Sequence, residues 1–112
     1  MENCIFCAII KGDIPTEKLY EDDDVVAFED INAQAPEHFL VIPKKHIATP
    51  NDAEDDALLG KLSLIAAKIA KERGFSEKGY RLVMNCNKDG CQSVYHIHLH
   101  CLGGRQMTWP PG

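Results

Sequence analysis

Apolar residues follow two different periods along this chain, and the boundary between them sets the architecture to expect. From about Ala53 to Arg73 they recur every three to four positions, with Leu58, Leu62, Ile65 and Ile69 on one stripe, which predicts one long helix. Asn51 is placed to cap it with Glu54 at the capping-box position; Lys68, Lys71 and Arg73 suit its last turn, and Gly74 can end it. A shorter helix is expected from Cys4 to Lys11, stopped by Gly12-Asp13-Ile14-Pro15. Elsewhere the apolar runs are short and rich in residues that suit strands. Lys18 to Glu21 and Val25 to Glu29 read as a hairpin around Asp22-Asp23-Asp24, and His38 to Pro43, Tyr80 to Asn85 and Tyr95 to Leu102 make five strands in all. The sum is an α+β domain, an antiparallel sheet with its helices on one face.

The last strand carries an unusual load. His96, His98 and His100 alternate with Tyr95, Ile97, Leu99 and Cys101. A strand sends successive side chains to opposite faces, so the three imidazoles are expected to line one face at spacings of about 6.7 Å while the other four residues pack the opposite one. Imidazole titrates near neutrality and serves as nucleophile, acid, base or metal ligand, which makes a row of three costly to explain as packing. Just before it lies the polar segment Asn85-Cys86-Asn87-Lys88-Asp89-Gly90-Cys91-Gln92-Ser93. Its amides, the Ser93 hydroxyl and the Asn85 carboxamide could converge on an oxyanion beside His98, supplying the charge stabilisation and placed nucleophile that phosphoryl-type transfer needs.

Composition narrows the setting. A chain of 112 residues, 45% hydrophobic and 26% charged, fits a single domain over 1–112, and no apolar run approaches the roughly 20 residues of a membrane span. The first residues lack the basic-then-apolar pattern of a secretory signal, so a cytoplasmic or nuclear location is expected. There the five cysteines suit thiols or metal ligands better than a disulfide framework. With a net charge of −5 and no basic stripe, long nucleic acid is a poor partner, while a single phosphate held by backbone amides remains open.

Three segments together carry a resemblance: Ala35-Pro36-Glu37-His38-Phe39-Leu40-Val41-Ile42-Pro43-Lys44-Lys45-His46, then Gln92-Ser93-Val94-Tyr95-His96-Ile97-His98-Leu99-His100, then Gly103-Gly104-Arg105-Gln106-Met107-Thr108-Trp109-Pro110-Pro111-Gly112. Across nearly its whole length the chain resembles the histidine-triad (HIT) superfamily, in its Hint branch of nucleotide-binding phosphoramidases. The resemblance implies an α+β meander fold and a homodimer with continuous sheets. It also implies hydrolysis of purine nucleoside 5′-phosphoramidates, AMP or GMP joined to an amine, through a nucleotidyl-histidine on His98. By the same resemblance, His100 and Ser93 contact phosphate and leaving group, and His38 orients the triad. Asn85 and the amides of Cys91, Gln92 and Ser93 hold phosphate, Asp30 holds the ribose, and Ile5, Phe6, Ile9, Phe28 and Ile31 wall the base. Trp109 to Gly112 would shape the leaving-group side near the dimer interface.

Two departures stand out. Where the Hint pattern has two glycines before Gln-Ser, this chain has Gly90-Cys91, and cysteine resists the positive φ and close approach that glycine permits. The second is Cys4-Ile5-Phe6-Cys7, similar to zinc-binding HIT proteins, in which the remaining ligands match His46 and His96 and complete a structural Cys2His2 site. Two other readings of the histidines stay open: a metal-dependent hydrolase, since histidines at i and i+2 can ligate one ion, and a nucleotide-binding scaffold with little turnover.

Overall fold

A computed structural model describes residues 3–112. Its element order is α1 (Ile5–Lys11), β1 (Lys18–Glu21), β2 (Val25–Glu29), β3 (Glu37–Pro43), a single 3₁₀ turn (Pro50–Asp52), α2 (Asp56–Glu72), β4 (Tyr80–Val83) and β5 (Leu99–Gly103). All neighbouring strands are antiparallel, in the order β1-β2-β3-β5-β4. The chain meanders through β1 to β3, crosses by way of α2 to the far edge, and returns β5 into the gap between β3 and β4. No helix of the described residues is long and apolar enough to cross a membrane.

The helices lie on opposite faces of the sheet, which corrects the expectation that they share one. Val25, Ala27, Phe39 and Val41 face Leu62, Ile65, Ala66 and Ile69 of α2, while the alternating set Val26, Phe28, Leu40 and Ile42 faces Phe6 and Ile9 of α1. The unbroken apolar runs in β2 and β3 are the physical sign of strands covered on both sides. α1 has only seven residues, too few to stand alone, so it depends on that packing.

The start of α2 differs from expectation, while its end falls where expected, with Arg73 as cap and Gly74 at φ +84°. The helix starts three residues later than Ala53, and Asp55 caps it by accepting the Leu58 N–H at 3.0 Å. Asn51 lies in the 3₁₀ turn, whose capping box is Thr49 with Asp52. Pro50 explains the break: it suits the first turn of the 3₁₀ segment, and the two caps compete for overlapping stretches of acidic chain.

The last two strands are shorter than their apolar pattern. β4 ends at Val83 instead of Asn85, and β5 begins at Leu99 instead of Tyr95. Ile97 N–H bonds the Ile47 carbonyl at 2.8 Å, so the chain before Leu99 pairs with the segment that follows β3 and not with β4. Alternation survives this departure: Ile97, Leu99 and Cys101 enter the α2-side core, but Tyr95 is exposed.

Candidate active site

His96 and His98 turn toward α1, where the Phe6 ring meets both, with centroids 5.8 and 5.2 Å away. His98 and His100 rings are 4.9 Å apart. The row therefore divides between two centres, with α1 wedged against both.

At the first centre, His98 Nδ1 lies 2.8 Å from the carbonyl oxygen of His96. A carbonyl only accepts, so Nδ1 carries the proton and Nε2 keeps its lone pair. His98 borders a cavity of about 340 Å3 together with His100 and Ser93, and Phe6, Ile9 and Phe28 provide apolar wall. Asp30 and a fully exposed Ile31 sit on its rim.

The partner ring is set from behind. Gln34 N–H donates to His38 Nδ1 at 2.9 Å, which leaves the proton of neutral His38 on Nε2, and that atom lies 2.9 Å from His100 Nδ1. His100 Nδ1 thus accepts, and its remaining N–H sits on Nε2. Asp30 is drawn into this group: one carboxylate oxygen accepts Asn32 N–H, and the other lies 3.3 Å from His38 Nε2 and 3.8 Å from His100 Nδ1. The resemblance assigns Asp30 to a ribose; the fold turns it toward the histidines.

Burial pushes His100 down to about 4, aided by His98 and His38 and opposed by Asp30. Burial likewise lowers His38, against Asp30 and Glu29. Both imidazoles are neutral donors and acceptors at neutral pH. An unfolded histidine protonates near 6.5, so as the pH falls from about 6.5 to about 4 the unfolded chain takes up a proton that folded His100 refuses. Stability is therefore full above that window and declines through it. The unfolding midpoint is expected to drop over this range, and His100→Asn to reduce the proton uptake on unfolding by up to one; an unchanged pH slope would refute the burial argument.

The loop before the triad is built differently from the anion cradle expected of it. Cys91 N–H bonds Lys88 O and Gln92 N–H bonds Asn87 O, each at 3.0 Å, so these two amides are spent inside the turn. The Gln92 side chain clamps the loop, donating to Ala48 O and Val94 O and accepting Asn87 N–H. Asn85 Nδ2 reaches Cys91 O at 3.5 Å. Ser93 is the loop residue that borders the cavity. Cys91 adopts φ 64°, so this position does impose the left-handed backbone that glycine favours, and cysteine occupies it at a cost of about 1 kcal/mol.

The second centre gathers Cys4, Cys7, His46 and His96, whose donor atoms all lie within 4.8 Å of one another. His96 Nε2 lies 2.8 Å from Pro43 O and must donate to it, which leaves Nδ1 bare and 3.4 Å from Cys4 Sγ. His46 Nδ1 lies 3.4 Å from Cys7 Sγ. Burial and then the adjoining Cys4 sulfur raise the Cys7 thiol, so two thiolates here need a cation between them. Two sulfurs and two imidazole nitrogens in one tight group, with one ring already held by a carbonyl, fit a tetrahedral zinc ion.

A small α+β protein whose carbonyl-fixed histidine borders a cavity of about 340 Å3 has the form of a hydrolase, and its relatives agree. The HIT domain family matches residues 11–107. The purine nucleoside phosphoramidase of Escherichia coli (strain K12) is 52% identical over 108 residues, covering 95% of this chain and 91% of that protein. The crystal structure of a HIT family hydrolase from Legionella pneumophila Philadelphia 1 superposes with a TM-score of 0.94 at 58% identity, covering 98% of this chain and 100% of the other. A histidine triad protein from Clostridium difficile gives 0.92 at 44% identity, with 96% of each chain covered. The chain belongs to the HIT domain family.

Proposed function

We infer that this protein hydrolyses purine nucleoside 5′-phosphoramidates, working as one domain over 1–112 with His98 as its nucleophile. The observation that carries this is the 2.8 Å bond from His98 Nδ1–H to the His96 carbonyl, which fixes the tautomer whose Nε2 can attack. In the first step Nε2 bonds to the α-phosphorus and the P–N bond breaks. Its electron pair leaves with the amine, which takes up a proton from solvent water. A water then attacks the phosphorus and gives its proton to solvent, the P–N bond to His98 breaks with its pair returning to Nε2, and AMP or GMP departs. His100 Nε2–H and the Ser93 hydroxyl, both at the cavity, would donate to the phosphoryl oxygens and the leaving nitrogen. The apolar wall of Ile5, Phe6, Ile9 and Phe28, with Ile31 at the rim, suits a purine face, and Asp30 suits the ribose edge. Of the loop, Ser93 would face the phosphate, with Asn85 behind it; the Cys91 and Gln92 amides, closed on the turn, would not contact it.

Adenosine 5′-phosphoramidate is therefore expected to be turned over equally well with and without an assay-time chelator. Turnover lost on chelation and restored by metal would instead move an ion into catalysis; Asp30, His38 and His100, whose donor atoms lie within 4.8 Å of one another, are where it would sit.

Zinc at Cys4, Cys7, His46 and His96 would act structurally, tying α1 to the segments that follow β3 and precede β5. The unpaired outer edge of β4 supports a homodimer by sheet continuation. The tail crosses that strand, with Arg81 donating to Thr108 O at 2.9 Å and stacking 5.8 Å from the centre of an exposed Trp109 ring. Light scattering is expected to give twice the chain mass; a monomer at micromolar concentration would sink the dimer.

A further inference from the structure

The Gly103-Gly104-Arg105 segment, the last residue of β5 and the turn that follows, lies away from the cavity, and nothing in the chemistry above uses it. Its geometry is nevertheless narrowly constrained. A Cβ on Gly103 would stand 2.6 Å from the Phe75 ring, and one on Gly104, at φ +86°, would stand 2.9 Å from Pro36 Cβ. Only a glycine pair lets the chain leave β5 against Pro36. The turn delivers Arg105, whose guanidinium donates to the Gln34 carbonyl at 3.2 Å.

Gln34 is the residue whose N–H donates to His38 Nδ1. We propose that Arg105 is a positioning residue for the hydrolase: by pinning the Gln34 carbonyl it holds the adjoining N–H on His38, and so selects the His38 and His100 tautomers. The sequence of bonds is Arg105 to Gln34 O, Gln34 N–H to His38 Nδ1, and His38 Nε2–H to His100 Nδ1, the last at 2.9 Å. Each link removes one alternative. A bare His38 Nδ1 requires Nε2–H, and Nε2–H facing His100 requires that His100 carry its proton on the nitrogen left for substrate. Without the first link the residue 30–36 loop keeps the bond at its base from Asp30 N–H to His38 O and its local bonds, from Asn32 N–H to Asp30 and from the Gln34 carboxamide to Asn32 O, none of which orients the Gln34 amide. His38 could then rotate or take up the other tautomer, with Asp30 ready to accept a proton from either ring. Arginine suits the task because its charge strengthens a bond made at the surface and its planar head needs little ordering.

This rests on the phosphoramidase reading for its kinetic arm but not for its spectroscopic one. Arg105→Ala is expected to lower kcat for adenosine 5′-phosphoramidate about five- to tenfold with KM within about twofold, the size of one ordinary hydrogen bond felt through His38 and His100. Arg105→Lys is expected to recover most of the rate. In a His38→Ala background Arg105→Ala is expected to add nothing, because the two act in series. Two-bond ¹H–¹⁵N spectra of the ring nitrogens are expected to show one His38 tautomer, with Nδ1 bare, in the wild type and Arg105→Lys, and a mixture in Arg105→Ala. Additive losses, a change confined to KM, or an unchanged His38 tautomer would each overturn the assignment. A wild-type protein that releases no AMP would defeat the hydrolase reading alone, since the His38 spectrum would still report on Arg105.

Discussion

His98→Ala is expected to lower the release of AMP from adenosine 5′-phosphoramidate by at least about 10⁴-fold while leaving the fold and AMP binding close to those of the wild type. The size follows from what the substitution removes. Nucleophilic catalysis divides one hard displacement at phosphorus into two easier ones, and no other group has the same preparation: a bare nitrogen at the cavity with its far N–H held by a carbonyl at 2.8 Å. His100 cannot substitute, because its Nδ1 is engaged by His38 and the proton left on Nε2 blocks attack. Folding is expected to survive because His98 packs at the cavity rim against Phe6, whose other contacts with Phe28 and His96 remain. The measurement is single-turnover AMP release beside AMP titration of the same variant. Substantial residual turnover would remove His98 as the nucleophile, and lost AMP binding would recast it as a binding residue.

Cys7→Ser is expected to abolish tight zinc binding and to lower the unfolding midpoint by about 15 °C. A site occupied at about a thousand times its dissociation constant contributes about 4 kcal/mol, and a domain of this size shifts by about 4 °C for each kcal/mol. The loss is expected to begin at α1, because that helix depends on Phe6, Ile9 and the metal ligands to remain in place. Since Ile5, Phe6 and Ile9 also border the cavity beside His98, the same variant is expected to bind AMP more weakly while retaining the His98 tautomer. Metal analysis of protein prepared without chelators is expected to give one zinc per chain. A value far below one, or a Cys7→Ser variant as stable as the wild type, would leave Cys4, Cys7, His46 and His96 a buried polar cluster only.

Elements bounded by local signals fall where the sequence predicts them, and the departures share a physical cause. β1 and β2 fall on the residues their pattern predicts, because each is bounded by polar turns that stop it wherever it packs. The strand through Tyr95 to Leu102 has ideal alternation, yet only Leu99 onward joins the sheet. Alternation reports which face a side chain takes and not which backbone it bonds, and Ile97 bonds Ile47. The two helices take opposite faces for a related reason: the unbroken apolar runs of β2 and β3 mark strands covered on both sides, but which element covers each face is decided only when α1 packs on one and α2 on the other. The loop before the triad carries the residues of an anion cradle, but its amides close on Lys88 and Asn87, and that pairing depends on a turn conformation with Cys91 at φ 64°.

Residue chemistry and periodicity alone were enough for the α+β class, the long helix and the choice of the histidine row as reactive, because a row of imidazoles and a stripe of leucines are properties of the order of residues. Motif resemblance supplied the grouping of Cys4 and Cys7 with His46 and His96, and the fold then brought their donors together. The direction of every proton in the site was decided only by the folded chain. Which nitrogen of His98 attacks depends on the His96 carbonyl, and which nitrogen of His100 donates depends on His38, Gln34 and an arginine 71 residues away from Gln34. Hydrogen bonds are short-ranged and directional, so a tautomer is set by whichever backbone atom packing brings within about 3 Å, and no spacing along the sequence encodes that neighbour.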